Sequence, residues 1–277
     1  MMKISVFTDE INREDPVRAV QLAKQWNVDF VEVRSLPGGR FPEGPDTELR
    51  DFFKMVDDAG LQISGVSPGF CKCAIDDPSV ATVLAEGLPR ACEWARRAGT
   101  DRVICFGFKR DDSPQVPQAA IDRVAEMADI AGRHECRLVL ENESICWGAT
   151  GLEAAGMIRQ IGADRLTLCW DPSNSARAGS AVPYPAEYDQ IKDLVSHVHL
   201  KNYDPQQNCW SLIEQGVVDW PGQLAGLADD GYTGYVVVET HLSVSPDAFE
   251  FVDTDLAGLE NNTRRNLQYV QSLLSNG

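Results

Sequence analysis

Four side chains able to bind a divalent cation stand at the ends of four successive apolar runs. The runs are Arg137-Leu138-Val139-Leu140-Glu141, Leu166-Thr167-Leu168-Cys169-Trp170-Asp171, Val195-Ser196-His197-Val198-His199 and Tyr235-Val236-Val237-Val238-Glu239. Three carboxylates and one imidazole make a mixed oxygen–nitrogen donor set. Such a set suits Mn²⁺, Mg²⁺, Co²⁺ or Zn²⁺ better than a soft metal. Any one of these residues alone fits an ordinary ion pair or a loop position. All four at the same end of consecutive strands describe a ring of ligands, and with it metal-assisted chemistry.

Such a ring needs strands that bring their carboxyl ends to one mouth. Eight apolar runs meet that requirement, at 4–7, 30–35, 62–67, 102–108, 137–142, 166–171, 195–201 and 235–240. Most are rich in Val, Ile, Leu and Phe, as parallel strands buried on both faces should be. Amphipathic stretches lie between them: Pro16–Trp26, Thr47–Ala59, Val80–Ala98, Pro117–Glu135, Leu152–Ile161, Trp220–Asp230 and Leu256–Leu274. The sixth unit is the weakest, with a loop over 172–183 and a short helix near Pro185–Leu194. Asp15-Pro16 supplies a cap and a first-turn proline. Gly60, Gly99 and Gly162 follow helices. The pattern predicts an α/β fold, a single (β/α)8 TIM barrel over 1–277, whose active site lies at the carboxyl ends of the strands. An open doubly wound sheet is the competitor. The Gly-rich phosphate fingerprint it would favour is missing after the first strand, where the chain reads Thr8-Asp9-Glu10-Ile11-Asn12.

The chain has 277 residues and a net charge of -17, from 42 acidic against 25 basic side chains. That balance disfavours nucleic acid as a partner, because a sequence-independent hold on phosphates needs Lys and Arg. The 8 cysteines form no paired CxxC zinc pattern, and Cys92, Cys105 and Cys169 lie inside apolar runs. No apolar stretch is long enough to span a membrane. We expect a reduced, cytoplasmic protein with no membrane partner.

Several motifs resemble one family over nearly the whole chain. They are Leu140-Glu141-Asn142-Glu143, Trp170-Asp171-Pro172-Ser173-Asn174, His197-Val198-His199-Leu200-Lys201-Asn202 and Val238-Glu239-Thr240-His241. Phe30-Val31-Glu32-Val33-Arg34, Gly216–Pro221 and Gly231–Gly234 add support. On these residues the chain resembles the xylose isomerase-like barrels, the sugar phosphate isomerases and epimerases. That group includes ketose 3-epimerases, hydroxypyruvate isomerase, inosose dehydratase and endonuclease IV. The resemblance implies one divalent metal ion held by Glu141, Asp171, His199 and Glu239. His199 is selected over His197 because the family's strand-seven histidine precedes Leu-Lys.

The resemblance further implies an isomerase or epimerase of a small keto-sugar, manganese being one candidate metal. Glu141 and Glu239 would be the acid/base pair, one removing the α-proton and the other returning it through an enediolate. Lys201, Arg34, Asn174 and His241 are the expected substrate contacts. For Arg34, an ion pair with Glu32 is an equal alternative. Lys72 is a further candidate; for Phe70, Trp147 and Trp210, on loops after strands, ordinary loop packing is the favoured reading and an apolar wall the alternative.

The chain also departs from the family. Asn174 and Glu143 stand where His is frequent, Asn202 stands where Asp is usual, and Glu214-Gln215-Gly216 replaces Gly-Glu-Gly. The residue at 174 argues against the multi-zinc endonuclease branch. Three alternatives follow: a lyase or dehydratase acting on an inosose or 3-keto-glycoside through the same enediolate, a phosphodiesterase or DNA-repair nuclease that would need three metals, and a non-catalytic sugar- or metal-binding barrel. No Gly-rich phosphate loop is present, which leans towards an unphosphorylated carbohydrate. Related barrels pair through mouth loops, so residues 203–221 are a candidate homo-oligomer contact.

Overall fold

Short runs of β-branched residues alternate between two buried environments, and this alternation shapes the molecule. In the computed structural model, which describes residues 1–242, 256 and 258–275, Val6 packs outward into the main apolar core. Its neighbour Ser5 points inward, its hydroxyl 2.7 Å from that of Ser64. Side chains two apart along a strand share a face, so each strand supplies both layers.

Eight such strands close a parallel barrel. They are β1 (Lys3–Phe7), β2 (Phe30–Val33), β3 (Gln62–Phe70), β4 (Arg102–Cys105), β5 (Arg137–Glu141), β6 (Leu166–Trp170), β7 (Val195–Leu200) and β8 (Tyr235–Val238). Each pairs with its sequence neighbours. β1 closes the ring on β8 through Lys3↔Tyr235 to Val6↔Val238. The fold is therefore the expected single (β/α)8 barrel. Outside the strands, helices bury one apolar stripe each. In Asp46–Asp58 the stripe is Leu49, Phe52, Phe53 and Val56, at the spacing of one helix face. Burying each such side chain is worth about 1.5–3 kcal/mol, so this layer dominates stability. Inside the barrel a small separate cluster, Ile104, Val139 and Cys169, forms an apolar plug.

The caps follow the sequence. Asp15 accepts from the Arg18 amide at 3.0 Å ahead of Pro16–Gln25. Gly60, Gly99 and Gly162 end helices at φ of +69°, +81° and +117°.

Several expectations need correction. Residues 172–183 are not wholly loop. Pro172–Arg177 is a helix, because Asp171 accepts from the amides of Ser173 and Asn174 and Pro172 starts the first turn. A further short helix, Thr8–Asn12, follows β1 at once. β2 stops at Val33, and Ser35–Leu36 turns into a hairpin with Gly39–Arg40. β4 stops at Cys105, and Phe108 adopts φ +68°. The short helix of the sixth unit does form near its expected place, as the consecutive turns Pro183–Glu187, Tyr188–Ile191 and Lys192–Leu194. The last helix runs Leu259–Ser275. Its expected start at Leu256 is not helical, and residue 257 lies outside the described residues. All 8 cysteines are free. Among the described residues no helix is long and apolar enough to cross a membrane.

Candidate functional site

β7 lays His197, His199 and then Lys201 along the inner face, from the barrel's middle to its mouth. Around His199 the neighbouring strands bring Glu141 at the end of β5, Asp171 one residue past β6 and Glu239 one residue past β8. One donor atom from each of the four lies within 4.8 Å of all the others. His199 Nδ1 is 3.2 Å from Glu141 Oε2 and 3.9 Å from Glu239 Oε2. The sequence-predicted ring is thus brought together, and all four residues are buried.

The donor set fits a divalent cation. His199 Nδ1 is buried and makes no hydrogen bond, although it points among carboxylates. Burial opposes a proton on His199, yet Cys169, Glu141 and Glu32 push its pKa well above the usual imidazole value. That field would hold a cation, and metal binding would release the proton. The cluster could therefore bind a metal.

Glu32 sets the imidazoles behind the ring. Its carboxylate meets His197 Nε2 at 2.7 Å and His199 Nε2 at 3.1 Å. It also accepts from the hydroxyls of Ser67 at 2.6 Å and Ser64 at 3.2 Å. Burial would raise its pKa, but His197 and His199 hold it far below the carboxylate range. A carboxylate behind a ligating histidine fixes the ring's tautomer and orientation. The alternative Glu32–Arg34 ion pair does not form, because β2 ends at Val33 and Arg34 leaves the pleat. Arg34 instead donates Nε to Asp9 at 2.8 Å, Nη1 to Glu239 at 2.9 Å and Nη2 to Glu10.

Lys201 reaches into the ring itself. Its Nζ lies 2.8 Å from Asp171 Oδ2, 3.0 Å from Glu239 Oε2 and 3.9 Å from Glu141 Oε1. The indole of Trp210 lies 4.8 Å away. His241 bridges Glu10 at 2.9 Å and Glu239 at 2.8 Å. Glu239 is therefore surrounded by cations. Burial would raise its pKa, but His241 and Lys201 hold it well below the usual value. Asp171 is pushed up to about 6 by burial, against the pull of Lys201 and with the repulsion of Glu141 and Glu239.

Asn174 donates to Asp171 Oδ2 at 3.0 Å and to Glu141 Oε1 at 3.3 Å, so it sits beside the ring. Glu143 pairs with Lys72 at 2.5 Å. Asn202 turns away. It binds Ile213 O, Val218 O and the Val218 amide, tying down the loop before the last unit. Its departure from the family pattern is thus structural. Trp147 is core, at 2% exposure. Trp210 lines a cavity of about 390 Å³ with Arg177, Tyr203, Asn208, Cys209, His241 and Leu242.

Sequence reasoning missed Asp9 and Glu10 as partners of Arg34, and Glu32 as the partner of both histidines. Glu32 left a signal, a lone charge inside Phe30-Val31-Glu32-Val33. Asp9 and Glu10 directly follow β1, where a barrel places functional groups.

A family model described as a xylose isomerase-like TIM barrel matches residues 20–271. No curated protein matches the sequence. Many solved structures share the architecture. One is a xylose isomerase-like TIM barrel protein from Mycobacterium smegmatis in complex with magnesium. It has 20% identity and a TM-score of 0.71, covering 99% of this chain and 96% of that one. D-psicose 3-epimerase from Clostridium cellulolyticum H10 has 14% identity and a TM-score of 0.74, with 99% of each chain covered. A probable 3-DHS dehydratase from Bacillus anthracis has 14% identity and a TM-score of 0.75, covering 98% of this chain and 99% of that one.

Proposed function

The chain belongs to the xylose isomerase-like TIM barrel family, and from that membership we propose that it is a divalent-metal-dependent isomerase or epimerase of a small keto-sugar. The observation that carries the reading is the four-donor cluster of Glu141, Asp171, His199 and Glu239, with His199 Nδ1 buried and otherwise without a hydrogen bond. These four would hold the ion. When bound, the ion supplies Lewis-acid polarisation of a substrate carbonyl.

The chain's own residues then do the proton work. Glu141 and Glu239 approach the cluster from β5 and β8, on opposite sides of His199 on β7. In the proposal one takes the α-proton and the other returns it, giving inversion at that carbon. Arg34 and His241 hold Glu239 Oε1, while Oε2 turns to the ring and accepts from Lys201 at 3.0 Å. In the proposal Lys201 and Asn174, which border the ring, meet substrate oxygens, and Lys201 compensates the charge of the ring. The ring residues and Lys201 are buried, which strengthens every such interaction.

A second reading, a lyase or dehydratase using the same enediolate, draws support from the fold shared with a probable 3-DHS dehydratase. Lys72, paired with Glu143, is the cation that in this reading would protonate a leaving group. The test is α-proton exchange followed by NMR. The metal-loaded protein is incubated in D₂O with ketoses, keto-glycosides and inososes. Deuterium at the α-carbon with an epimeric product supports the first reading, and loss of water or aglycone supports the second. A bound metal with no exchange in any compound would overturn both. The protein is proposed to act in the cytoplasm on a carbohydrate, without nucleic acid; pairing through 203–221 remains a proposal.

A further inference from the structure

We propose that Arg40 anchors an anionic group of the substrate, a carboxylate or a phosphate, at the mouth of the barrel; this rests on the keto-sugar reading above and narrows its substrate class.

The guanidinium is built in rather than free. Nε donates to Pro68 O at 3.0 Å and Nη2 to Ser67 O at 3.3 Å. Both carbonyls belong to the carboxyl end of β3, the end that forms the mouth. Gly69 completes the seat. A Cβ there would lie 2.5 Å from Arg40 Nη2 and 2.7 Å from its Cζ, and Gly69 also holds φ +75°. The φ is what favours glycine here, and a Cβ would push the guanidinium off this seat. The same segment leads to the metal cluster, since Ser67 Oγ donates to Glu32, and Glu32 holds His199.

What Arg40 lacks is a counter-ion. Arg34, its neighbour at the mouth, has three carboxylates. Among the described residues none lies within salt-bridge distance of Arg40, in a chain with 42 acidic side chains. A guanidinium cannot shed its proton to escape burial. Its second edge, Nη1 with the remaining hydrogen of Nη2, suits a two-oxygen anion in the bidentate manner. Burial and the like charge of Arg34 both act against the Arg40 cation, with Asp9, Glu239 and Glu141 opposing them. An arriving anion would relieve that imbalance.

The experiment is calorimetric titration of the Mg²⁺-loaded protein with inorganic phosphate, acetate and, as an uncharged control, xylitol. Wild type is compared with Arg40→Met and Arg40→Lys. At least one anion should bind wild type and weaken roughly 10- to 100-fold in Arg40→Met, the loss of one charge-assisted pair. Arg40→Lys should recover part of it, because the charge stays and the fork is lost. Anion held by the metal alone persists in Arg40→Met, so only the difference between variants counts. Phosphate alone would identify a phosphorylated substrate; acetate alone, a sugar acid. If Arg40→Met does not fold, Arg40→Gln is read in the same titration. No anion binding, or equal binding in wild type and the variant, overturns the proposal. Anion binding lost with Arg40 but no α-proton exchange in any compound would sink the keto-sugar reading and leave the anion site standing. Exchange in neutral sugars, unchanged in the variant, would do the reverse.

Discussion

Glu32 Oε1 meets His199 Nε2 at 3.1 Å, and this contact decides which imidazole nitrogen faces the carboxylate ring. Nδ1 is left pointing at Glu141. Outer partners of this kind typically set metal affinity by 10–100-fold. Glu32→Gln should therefore weaken metal binding by about that factor, with little change in far-UV circular dichroism. Competition against a fluorescent chelator measures it. An unchanged dissociation constant would show that His199 needs no such support.

The two glutamates are predicted to share the proton transfers. Glu141→Gln and Glu239→Gln should each slow α-proton exchange by about 10²–10⁴-fold, the usual worth of a positioned acid or base. Each variant should still melt cooperatively. Full exchange in either would remove that glutamate from the acid/base pair.

Lys201 is a buried cation among three carboxylates, at 2% exposure. Removing one partner of a buried ion pair leaves the others uncompensated and costs about 3–5 kcal/mol. Lys201→Met should lose about that much stability in chelator, and added Mg²⁺ should restore part of it by replacing the missing charge. Urea melts with and without metal test this. Equal stability of the two proteins in chelator would mean that the lysine compensates nothing.

His241 gives a pH signature. Burial opposes its charge, but Glu239 and Glu10 outweigh burial and lift its pKa from 6.5 to about 9. The folded state thus binds the proton more tightly than the unfolded chain. The resulting stabilisation is fully present below pH 6.5 and is lost as pH rises through about 9. Wild type should exceed His241→Gln in stability at pH 6, with the gap closing by pH 10. A gap independent of pH would place the benefit in packing instead.

Much of this molecule is legible from one dimension. The eight apolar runs anticipate the eight barrel strands, and Glu141, Asp171, His199 and Glu239 fall together because each ends a run of the same ring. The helix at Pro172–Arg177 escaped for a local reason. Asp171 carries two roles at once, since the residue that ends the strand as a ligand candidate also caps the amides of Ser173 and Asn174. Asn202 stands in the sequence only as a departure from the family pattern, and its side chain holds a loop.

Sequence by itself determined the eight apolar strand runs, the helical stripes between them and the mouth end at which polar groups collect, because these follow from local composition, helical periodicity and chain order. Only the tertiary structure decided which nitrogen of His199 faces the ring, that Arg34 serves Glu239 and not Glu32, and that Lys201 enters the carboxylate cluster. Those contacts join residues 167, 205 and 38 positions apart. Their partners are chosen by rotamer, strand end and ring closure, and local spacing carries none of that information.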